Sequence, residues 1–572
     1  MLRSQKMRTI AAEMDSLKIG TGWSIDDLSK PQVMVQSTWG ESHPGSVHLG
    51  KLVDQVKKGV EEAGGKAAQY TVTDICDGIA QGHDGMNYSL VSREVIAGAI
   101  EIQMKATPFD GAVLISSCDK AVPAHLLAIA RNNLPSIFVP GGVMKAGPNN
   151  LTLEQIGTYH AQYLRNEISL EKYNNYKQSA CPGCGACQFM GTASTMQIMA
   201  EALGMALPGS ALIPASDTIL SEMAKDAGNQ LIELIELNLT PDKIMTQKAF
   251  ENAIMVHAAI AGSTNTLLHL PAIAHELGLT IEAELFDEIH RKIPYITNIR
   301  PSGKYPAEYF WYAGGTPWIM EQIKKHLHLD VITVTGRTLG DNLEELRKND
   351  YYEKCNKYLE DRGVTKNHII MDYNTPIQKQ GAVAVLKGNL APEGAVVKHS
   401  AISKEMLQVT CVARPFNCEE EAYKAVIEKR IKPGDAVIIR YEGPKGSGMP
   451  EMFYTTEAIV SDPELANTVA LITDGRYSGA TRGPAIGHVS PEAAEGGPIA
   501  LVEEGDLIRI DIPKRTLNLI GVKGEDKTPS EIEEILEKRK KQLVMPEFKK
   551  KSGIMKIYSK LAVSAMKGAY ME

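Results

Sequence analysis

Three features are scarce or missing in this sequence of 572 residues. No run of about 18 uninterrupted apolar residues occurs, so we expect no membrane-spanning helix. Aromatic residues make up only 6% of the chain and no basic run stands out, which argues against a nucleic-acid-binding surface. The first 20 residues have no apolar core and include Glu13 and Asp15, unlike a secretory or transit peptide, so we expect a cytoplasmic protein.

What is present is the composition of an ordinary globular protein. Apolar residues make up 43% of the chain and charged residues 23%, with a net charge of −8 and both signs well mixed. The length predicts about two to four domains.

The order of apolar segments predicts two different halves. "DGAVLISS", "PAHLLAIARNN" and "PSIFVPGG" follow one another as strand, helix and strand, which is the β-α-β unit of a parallel sheet. From near Asp372 the chain changes to short strands with Gly and Pro turns, such as "GDAVIIRYEG" and "TVALITDGRYSG". We therefore predict an α/β fold, with an N-terminal parallel-sheet domain over 1–372 and a β-rich, barrel-like domain over 373–572.

The stretch "SSCDKAVP" places three chemically active residues together. Cys118, Asp119 and Lys120 follow an apolar strand-like run, and ligands bind beyond the carboxyl ends of strands in open α/β sheets. A thiolate prefers a soft metal, whereas a carboxylate prefers a hard cation such as Mg²⁺. The pattern suggests two inorganic centres close together, although a buried Cys beside a surface Asp-Lys pair would look the same.

Cysteine spacing supports a metal centre rather than disulfide bonds. The chain has eight cysteines, and "CPGCGACQFMGTASTM" sets Cys181, Cys184 and Cys187 in a C-x2-C-x2-C run, a spacing typical of iron–sulfur or zinc sites. No second C-x-x-C or H-x-H pair with zinc-finger spacing follows, which disfavours structural zinc. A redox dithiol would need only two of the three.

Further candidate site residues lie in turns in both halves of the chain. "TDICDGIAQGHDGM" places Cys76 and Asp77 in a sharp turn, and "RYEGPKGSGMPEM" offers Glu451 as a hard-metal ligand. "GPKGSG" lacks the ending of a phosphate loop, so we expect no nucleotide site. Ser478 in "TDGRYSG" is a hydroxyl in a Gly-rich loop, which by itself would more often be a solvated cap.

Together these stretches resemble the dihydroxy-acid and sugar-acid dehydratase family, which includes phosphogluconate dehydratase. The resemblance covers nearly the whole chain. It is carried, in order, by "HPGSVHLGKL", "CDGIAQGHDGMNYSLVSREVIA", "SSCDKAVP", "CGACQFMGTASTM", "ALGMALPGS", "GSTNTLLHL", "RYEGPKGSGMPEM" and "TDGRYSG…GHVSPEA…GGPIALVEEGD".

The resemblance implies an iron–sulfur cluster and Mg²⁺ in a site between the two domains. Cys118 and Cys187 match cluster ligands. Lys120 matches a lysine that relatives carry as a carbamate, and Ser478 matches the serine proposed as the base. The matches to Mg²⁺ ligands are Asp77, Asp119 and Glu451.

One position departs from the family pattern. Some members have a third cluster cysteine in a "PCN" segment, where this chain has Gly45. Phosphogluconate dehydratase has a Cys directly before its Asp-Gly turn, so Cys76 is the favoured third ligand, with Cys184 or Cys181 next. A [4Fe–4S] cluster is favoured, and [2Fe–2S] stays open.

This set of residues implies loss of water from a 2,3-dihydroxy acid. A cluster held by three cysteines has one iron with only sulfide ligands, and that iron can act as a Lewis acid on the C3 hydroxyl. Mg²⁺ would hold the acid group while an ionised Ser478 takes the C2 proton. Gln81, where amino-acid-pathway members commonly have Met, favours a sugar acid as substrate. The alternative is a branched-chain dihydroxy acid of valine and isoleucine synthesis.

A non-catalytic iron–sulfur electron carrier is the hypothesis from another class. Such a carrier normally keeps four cysteine ligands and has no use for the carboxylates. The resemblance also implies a homodimer or a homotetramer, with a small-molecule substrate and neither nucleic acid nor membrane as partner.

Overall fold

The fold is described from a computed structural model, which covers residues 1–478, 483–546 and 551–572. Its first half is an α/β layer structure around a parallel sheet. The strands of this half are β1 (Gln32–Ser37), β2 (Lys66–Thr71), β3 (Gly111–Ser116) and β4 (Ser136–Pro140). The order in the sheet is β2-β1-β3-β4, and all the neighbouring strands are parallel.

Helices surround this sheet and form most of the first half. Those up to β4 are α1 (Arg3–Arg8), α2 (Glu13–Ile19), α3 (Ile25–Ser29), α4 (Leu49–Glu62), α5 (Asp77–Ala80), α6 (Tyr88–Ala106) and α7 (Ala121–Asn132). Those after β4 are α8 (Gln155–Leu164), α9 (Leu170–Ser179), α10 (Thr192–Ala202), α11 (Thr218–Glu236), α12 (Pro241–Ile244), α13 (Gln247–Ile260), α14 (Thr266–Glu276), α15 (Ala283–Lys292), α16 (Glu308–Tyr312), α17 (Gly315–Gln322), α18 (Leu339–Lys348), α19 (Tyr351–Glu360) and α20 (Lys366–Ile369).

The sheet has a topological switch point between β1 and β3. The chain moves outward in one direction from β1 to β2 and in the other from β3 to β4, so right-handed crossovers place α4 and α7 on opposite faces. β1, β3 and β4 are buried along their whole length, as expected for parallel strands covered on both sides. The crevice beyond the carboxyl ends of β1 and β3 is therefore the expected place for a ligand.

The second half is one curled, mixed sheet of nine strands. Its order is β13-β12-β11-β7-β8-β9-β10-β6-β5, and β7 to β10 form a parallel centre. The strands are β5 (Val383–Leu386), β6 (Gly394–Lys398), β7 (Gln408–Phe416), β8 (Asp435–Ile439), β9 (Ala470–Thr473), β10 (Ala485–Ser490), β11 (Leu507–Asp511), β12 (Thr516–Val522) and β13 (Glu525–Asp526). The helices are α21 (Glu419–Ile427), α22 (Pro444–Ser447), α23 (Phe453–Ser461), α24 (Pro529–Gln542) and α25 (Gly553–Leu561).

Curling brings the two ends of this sheet almost together. Lys387, directly after β5, bridges to Thr516 of β12, and Asn389 exchanges side-chain hydrogen bonds with the backbone of Leu519. The enclosed apolar cluster includes Leu386, Ile438 and further strand residues. These contacts confirm the predicted α/β architecture with a barrel-like second domain, whereas the division at residue 372 stays a prediction.

One apolar stretch is divided between two helices. The stretch "KAFENAIMVHAAIAGSTNTLLHLPAIAHELG" forms α13 and α14, because Ala261 ends α13 in the left-handed conformation (φ 51°). This break places Asn265 at the start of α14, where its side chain reaches the site described below. The charged segment after Lys523 contains α24, while residues 547–550 lie outside the described ranges. Within those ranges no helix is both long and apolar enough to cross a bilayer.

Close contact between α4 and α11 gives a test of the fold. A Cβ on Gly59 would lie 2.0 Å from the Lys225 carbonyl oxygen, whereas a Cβ on Gly98 of α6 would have no neighbour within 4 Å. We expect Gly59→Ala to destabilise the protein by about 1–3 kcal/mol through overpacking. Gly98→Ala, the matched control, should be neutral or stabilising by up to about 1 kcal/mol. Thermal unfolding followed by circular dichroism measures both, and equal midpoints would contradict the close approach.

Candidate active site

The candidate site lies at the carboxyl edge of the parallel sheet. His43 follows β1, Cys76 and Asp77 follow β2, and Cys118 and Asp119 follow β3, although these residues lie far apart in the sequence. Parallel strands end at the same edge, so three loops bring their polar side chains together. The position agrees with the switch point between β1 and β3.

One side of the site is rich in sulfur. The Nδ1 or Nε2 of His43 and the Sγ atoms of Cys76 and Cys118 all lie within 4.8 Å of one another, an arrangement that can hold a metal ion. The hydrogen bond from Cys118 lowers the pKa of Cys76, while this bond and burial raise the pKa of Cys118 well above its usual value. Cys76 is therefore the more readily deprotonated of the two thiols.

The position that departs from the family pattern lies against this sulfur pair. A Cβ on Gly45 would be 3.1 Å from Cys118 Sγ and 3.3 Å from His43 Nδ1. A side chain at residue 45 would therefore enter the sulfur side directly, and Gly45 leaves that space open beside Cys118 and His43.

The three clustered cysteines differ in their distance from the centre. Cys187 lines the same cavity as Asp119, and burial, with the Asp119 carboxyl and Cys76 nearby, raises its pKa well above the usual value. Burial and the nearby Cys76 raise the pKa of Cys181. Burial also raises the pKa of Cys184, against the opposing effects of a backbone hydrogen bond and of Lys51.

The other side of the site is rich in carboxylate. Lys120 Nζ lies 2.8 Å from Asp77 Oδ2, and both groups are buried. Arg476, which is fully buried, donates to Glu451 Oε1 and lies 3.6 Å from the same Asp77 oxygen. Glu451 and Arg476 are also paired through their backbones, so the second domain presents them as one unit.

Burial and charge set opposite protonation states on two neighbouring carboxyls. Burial alone would raise the pKa of Asp77, but Lys120 and Arg476 outweigh it and the pKa is lowered. Burial, together with the negative charges of Asp77 and Glu451, raises the pKa of Asp119 to about 7. Such a pair is poised to bind a divalent cation, which supplies the positive charge that Asp119 lacks.

Three residues of the site were missed by the motif analysis. Ser89 donates to both carboxylate oxygens of Asp77 at 2.8 Å and accepts from Arg476 at 2.7 Å. Asn265 donates to Glu451 Oε1 at 3.1 Å. Arg476, Ser89 and Asn265 all lie within the stretches that carry the family resemblance. That resemblance was the only sequence signal for them, because none belongs to a motif with a characteristic spacing.

The cavity between the two domains brings the candidates together. It has a volume of about 300 Å³, and Asp77, Asp119, Cys187, Glu451 and Ser478 all line it. Ser478 comes from the loop after β9, so the second domain supplies both a carboxylate and a hydroxyl. Direct contacts join Asp77 to Lys120 and, through Arg476, to Glu451, while Asp119 lines the same cavity. Cys76 and Cys118 form the adjoining sulfur side.

Comparison with known proteins identifies the family. The N-terminal model of the dihydroxy-acid/6-phosphogluconate dehydratases matches residues 30–342, and the C-terminal model matches residues 368–569. The chain belongs to the dihydroxy-acid/6-phosphogluconate dehydratase family. It is an enzyme, a hydro-lyase, as predicted, and the electron-carrier hypothesis is therefore rejected.

Curated relatives of this dehydratase match over nearly their whole length. A protein named dihydroxy-acid dehydratase 1 from Methanosarcina acetivorans is 46% identical over 565 residues, 97% of each chain. Proteins named dihydroxy-acid dehydratase from Methanosarcina barkeri and Caldicellulosiruptor saccharolyticus are 45% and 42% identical over 565 and 571 residues. Dihydroxy-acid dehydratases generally use an iron–sulfur cluster and Mg²⁺, and the sulfur and carboxylate sides of this site offer soft and hard donors of the matching kinds.

Removal of the buried guanidinium tests the carboxylate side. Without metal, Arg476→Met leaves Glu451 without its positive partner, which costs about 3–5 kcal/mol for a broken buried ion pair. Because Mg²⁺ replaces that charge, we expect Mg²⁺ to raise the thermal midpoint more in the variant than in the unaltered protein. Arg131→Met, which breaks a pair with Glu276 outside the site, is the control and should show no extra Mg²⁺ effect. Equal Mg²⁺ shifts in both variants would contradict this arrangement.

The raised pKa of Asp119 predicts pH-dependent cation binding. Below about pH 7 the carboxyl is protonated and must lose its proton to bind Mg²⁺, so the association constant should fall up to tenfold per pH unit. Isothermal titration calorimetry of metal-free protein between about pH 5.5 and 8.5 measures the slope. Asp119→Asn should bind more weakly with a flatter slope, and pH-independent binding by the unaltered protein would refute the assignment.

Proposed function

We propose that the enzyme removes water from a branched 2,3-dihydroxy carboxylic acid to give a 2-oxo acid, as in valine and isoleucine synthesis. The observation that carries this proposal is the apolar part of the cavity lining. Five apolar side chains line the cavity beside the metal-binding candidates, namely Leu153, Ile156, Phe189, Ala193 and Phe453. Polar side chains complete the lining, among them His160, Tyr173 and Ser194. A methyl-branched tail gains about 0.8 kcal/mol for each buried carbon here, whereas a chain of hydroxyls would lose its water partners.

The sugar-acid hypothesis used Gln81 as a polar residue near the pocket. Its Nε2 donates to Glu451 Oε2 at 3.1 Å, so this amide, which lines the cavity, also orients a candidate metal ligand. The relatives at 42–46% identity carry the name dihydroxy-acid dehydratase, which also supports the branched-chain alternative over the sugar acid.

The donor set fits both inorganic groups expected for this family. In our proposal Cys118, Cys187 and Cys76 hold the iron–sulfur cluster, and Asp77, Asp119 and Glu451 hold Mg²⁺. Lys120, once carried as a carbamate, would add an oxygen ligand in place of its present contact with Asp77. When bound, the cluster supplies a Lewis acid for the departing C3 hydroxyl, and Mg²⁺ supplies the charge that holds the carboxylate and acidifies the C2 proton.

The side chains of this enzyme carry the remaining steps. Ser478 Oγ, which lines the cavity beside Asp119, takes the proton from C2. The C2–H electron pair forms the double bond to C3 as the C3–O bond breaks with its electron pair on oxygen. The departing hydroxide then receives the proton that Ser478 took from C2, leaves as water, and returns Ser478 to its ionised form. The resulting enol tautomerises to the 2-oxo acid. The apolar wall excludes other water from the reacting carbons, while Ser89, Asn265 and Gln81 keep the carboxylates aimed at the cavity.

A substrate panel tests the proposal. With anaerobically purified enzyme and Mg²⁺, the kcat/KM for 2,3-dihydroxyisovalerate should exceed that for gluconate, xylonate, arabinonate and galactonate by about 10- to 100-fold, because each unpartnered hydroxyl against the apolar wall costs about 1–3 kcal/mol. A colorimetric assay of the 2-oxo-acid product measures it. The opposite ranking would restore the sugar acid as substrate, and no turnover of any compound would refute both. The expected homodimer or homotetramer stays a separate prediction.

A further inference from the structure

His43 is a buried imidazole whose position the proposed reaction does not explain. It follows β1, its side chain is 3% exposed, and its Nδ1 has no hydrogen-bond partner among the described residues. A buried ring nitrogen without a partner costs free energy unless a ligand satisfies it. The nitrogen is therefore placed for a group that occupies the site when it is loaded.

The surroundings of His43 show where that group lies. A ring nitrogen of His43 is within 4.8 Å of both Cys76 Sγ and Cys118 Sγ, and the space beside Gly45 opens on Nδ1 and Cys118 Sγ together. On its other side, Nε2 lies 3.9 Å from Asp74 Oδ2, a buried oxygen that also has no hydrogen-bond partner within the described chain. The ring thus stands between a carboxyl and the sulfur pair, which limits how it can turn.

We propose that His43 donates a hydrogen bond from Nδ1 to the iron-bound sulfurs of the Cys76–Cys118 pair and so sets the reduction potential of the cluster. This rests on the proposed function, in which Cys118, Cys187 and Cys76 are the protein ligands. Three thiolates and the open position for substrate use all the protein-facing coordination positions, so the imidazole has a sulfur, and no iron, as its partner. Asp74 faces the opposite side of the ring, with its Oδ2 3.9 Å from Nε2.

The physical consequence concerns charge on the sulfurs. A thiolate bound to iron accepts hydrogen bonds, and reduction of the cluster adds negative charge to its sulfurs. A donated N–H therefore stabilises the reduced cluster more than the oxidised one. His43 is a positioning residue in this sense, because it acts on the cluster through Cys76 and Cys118 and does not contact the reacting carbons.

The test compares three variants of the anaerobically purified, cluster-loaded enzyme. His43→Leu removes the donor at similar volume, and His43→Gln keeps an N–H donor. His125→Leu is the control, since His125 is a fully buried imidazole of α7 whose ring nitrogens also lack partners within the described chain, but it is not part of the sulfur group. The midpoint potential is measured by redox titration followed by electron paramagnetic resonance, together with iron content and the nitrogen couplings of the reduced cluster.

We expect a more negative midpoint potential in His43→Leu, a smaller shift in His43→Gln and no shift in His125→Leu, at equal iron content. An unchanged potential in His43→Leu would overturn the donor role. A strong nitrogen coupling in the unaltered enzyme that disappears in both His43 variants would also overturn it, because His43 would then bind iron directly. If His43→Leu loses its cluster, the donor role is judged from the midpoint potential of His43→Gln and from the nitrogen couplings of the unaltered enzyme.

These outcomes are distinct from failure of the proposed function. An enzyme that dehydrates dihydroxyisovalerate with an unchanged potential in His43→Leu retains the function and loses only the role of His43. A chain that takes up no cluster under reducing, iron-replete conditions would refute the proposed cofactor, and the donor role with it.

Discussion

The contact of Arg476 with Asp77 links two buried ion pairs, Asp77–Lys120 and Glu451–Arg476, and so joins the two halves of this molecule. Asp77 and Lys120 come from loops of the parallel sheet, whereas Glu451 and Arg476 come from the curled sheet. Each ion has been removed from water, and only a close counter-ion offsets that cost. The pairs, with the contact of Arg476 to Asp77, therefore require the two domains to meet at one particular register.

The same charges explain why the metal-free site favours binding of a cation. Two positive side chains face three carboxyls, and the excess falls on Asp119, the carboxyl whose pKa rises to about 7. A divalent cation relieves this excess, and the neighbouring sulfurs of Cys76 and Cys118 offer a separate place for a softer metal. Hard and soft donors stay apart because they come from different residues of the same two loops, with Cys76 next to Asp77 and Cys118 next to Asp119.

Substrate choice depends on the residues that line the cavity besides the carboxylates. Gln81 and Asn265 each direct an amide N–H at Glu451, so these donors are not free to bind a hydroxyl of a polyhydroxylated tail. Leu153, Ile156 and Phe453 form an apolar part of the remaining wall. A polar residue near a pocket is therefore a weak guide to a polar substrate until its own hydrogen-bond partner is known.

Local sequence pattern was enough to predict the helices and strands and the residues that could bind a metal. The apolar runs of β3 and β4 and the helical spacing of α4 and α7 are visible in the sequence, because burial on a strand or a helix face imposes a short period. The adjacency of Cys118, Asp119 and Lys120 pointed to a mixed metal site for the same reason, since all the information lies within one loop. The family resemblance then named Asp77, Glu451 and Ser478, which have no local pattern of their own.

Contacts between distant segments could not be predicted from the sequence. Lys387 and Thr516 close the nine-stranded sheet, and Gln81 finds its partner in the other half of the chain. The bridging roles of Arg476 and Ser89 and the placement of His43 beside two cysteines likewise join segments far apart in the chain. The sequence by itself determined which helices and strands form and which residue types are present to bind metals. Only the tertiary structure decided which of them meet, because contacts between distant segments depend on how whole layers pack, and no short period in the sequence records that packing.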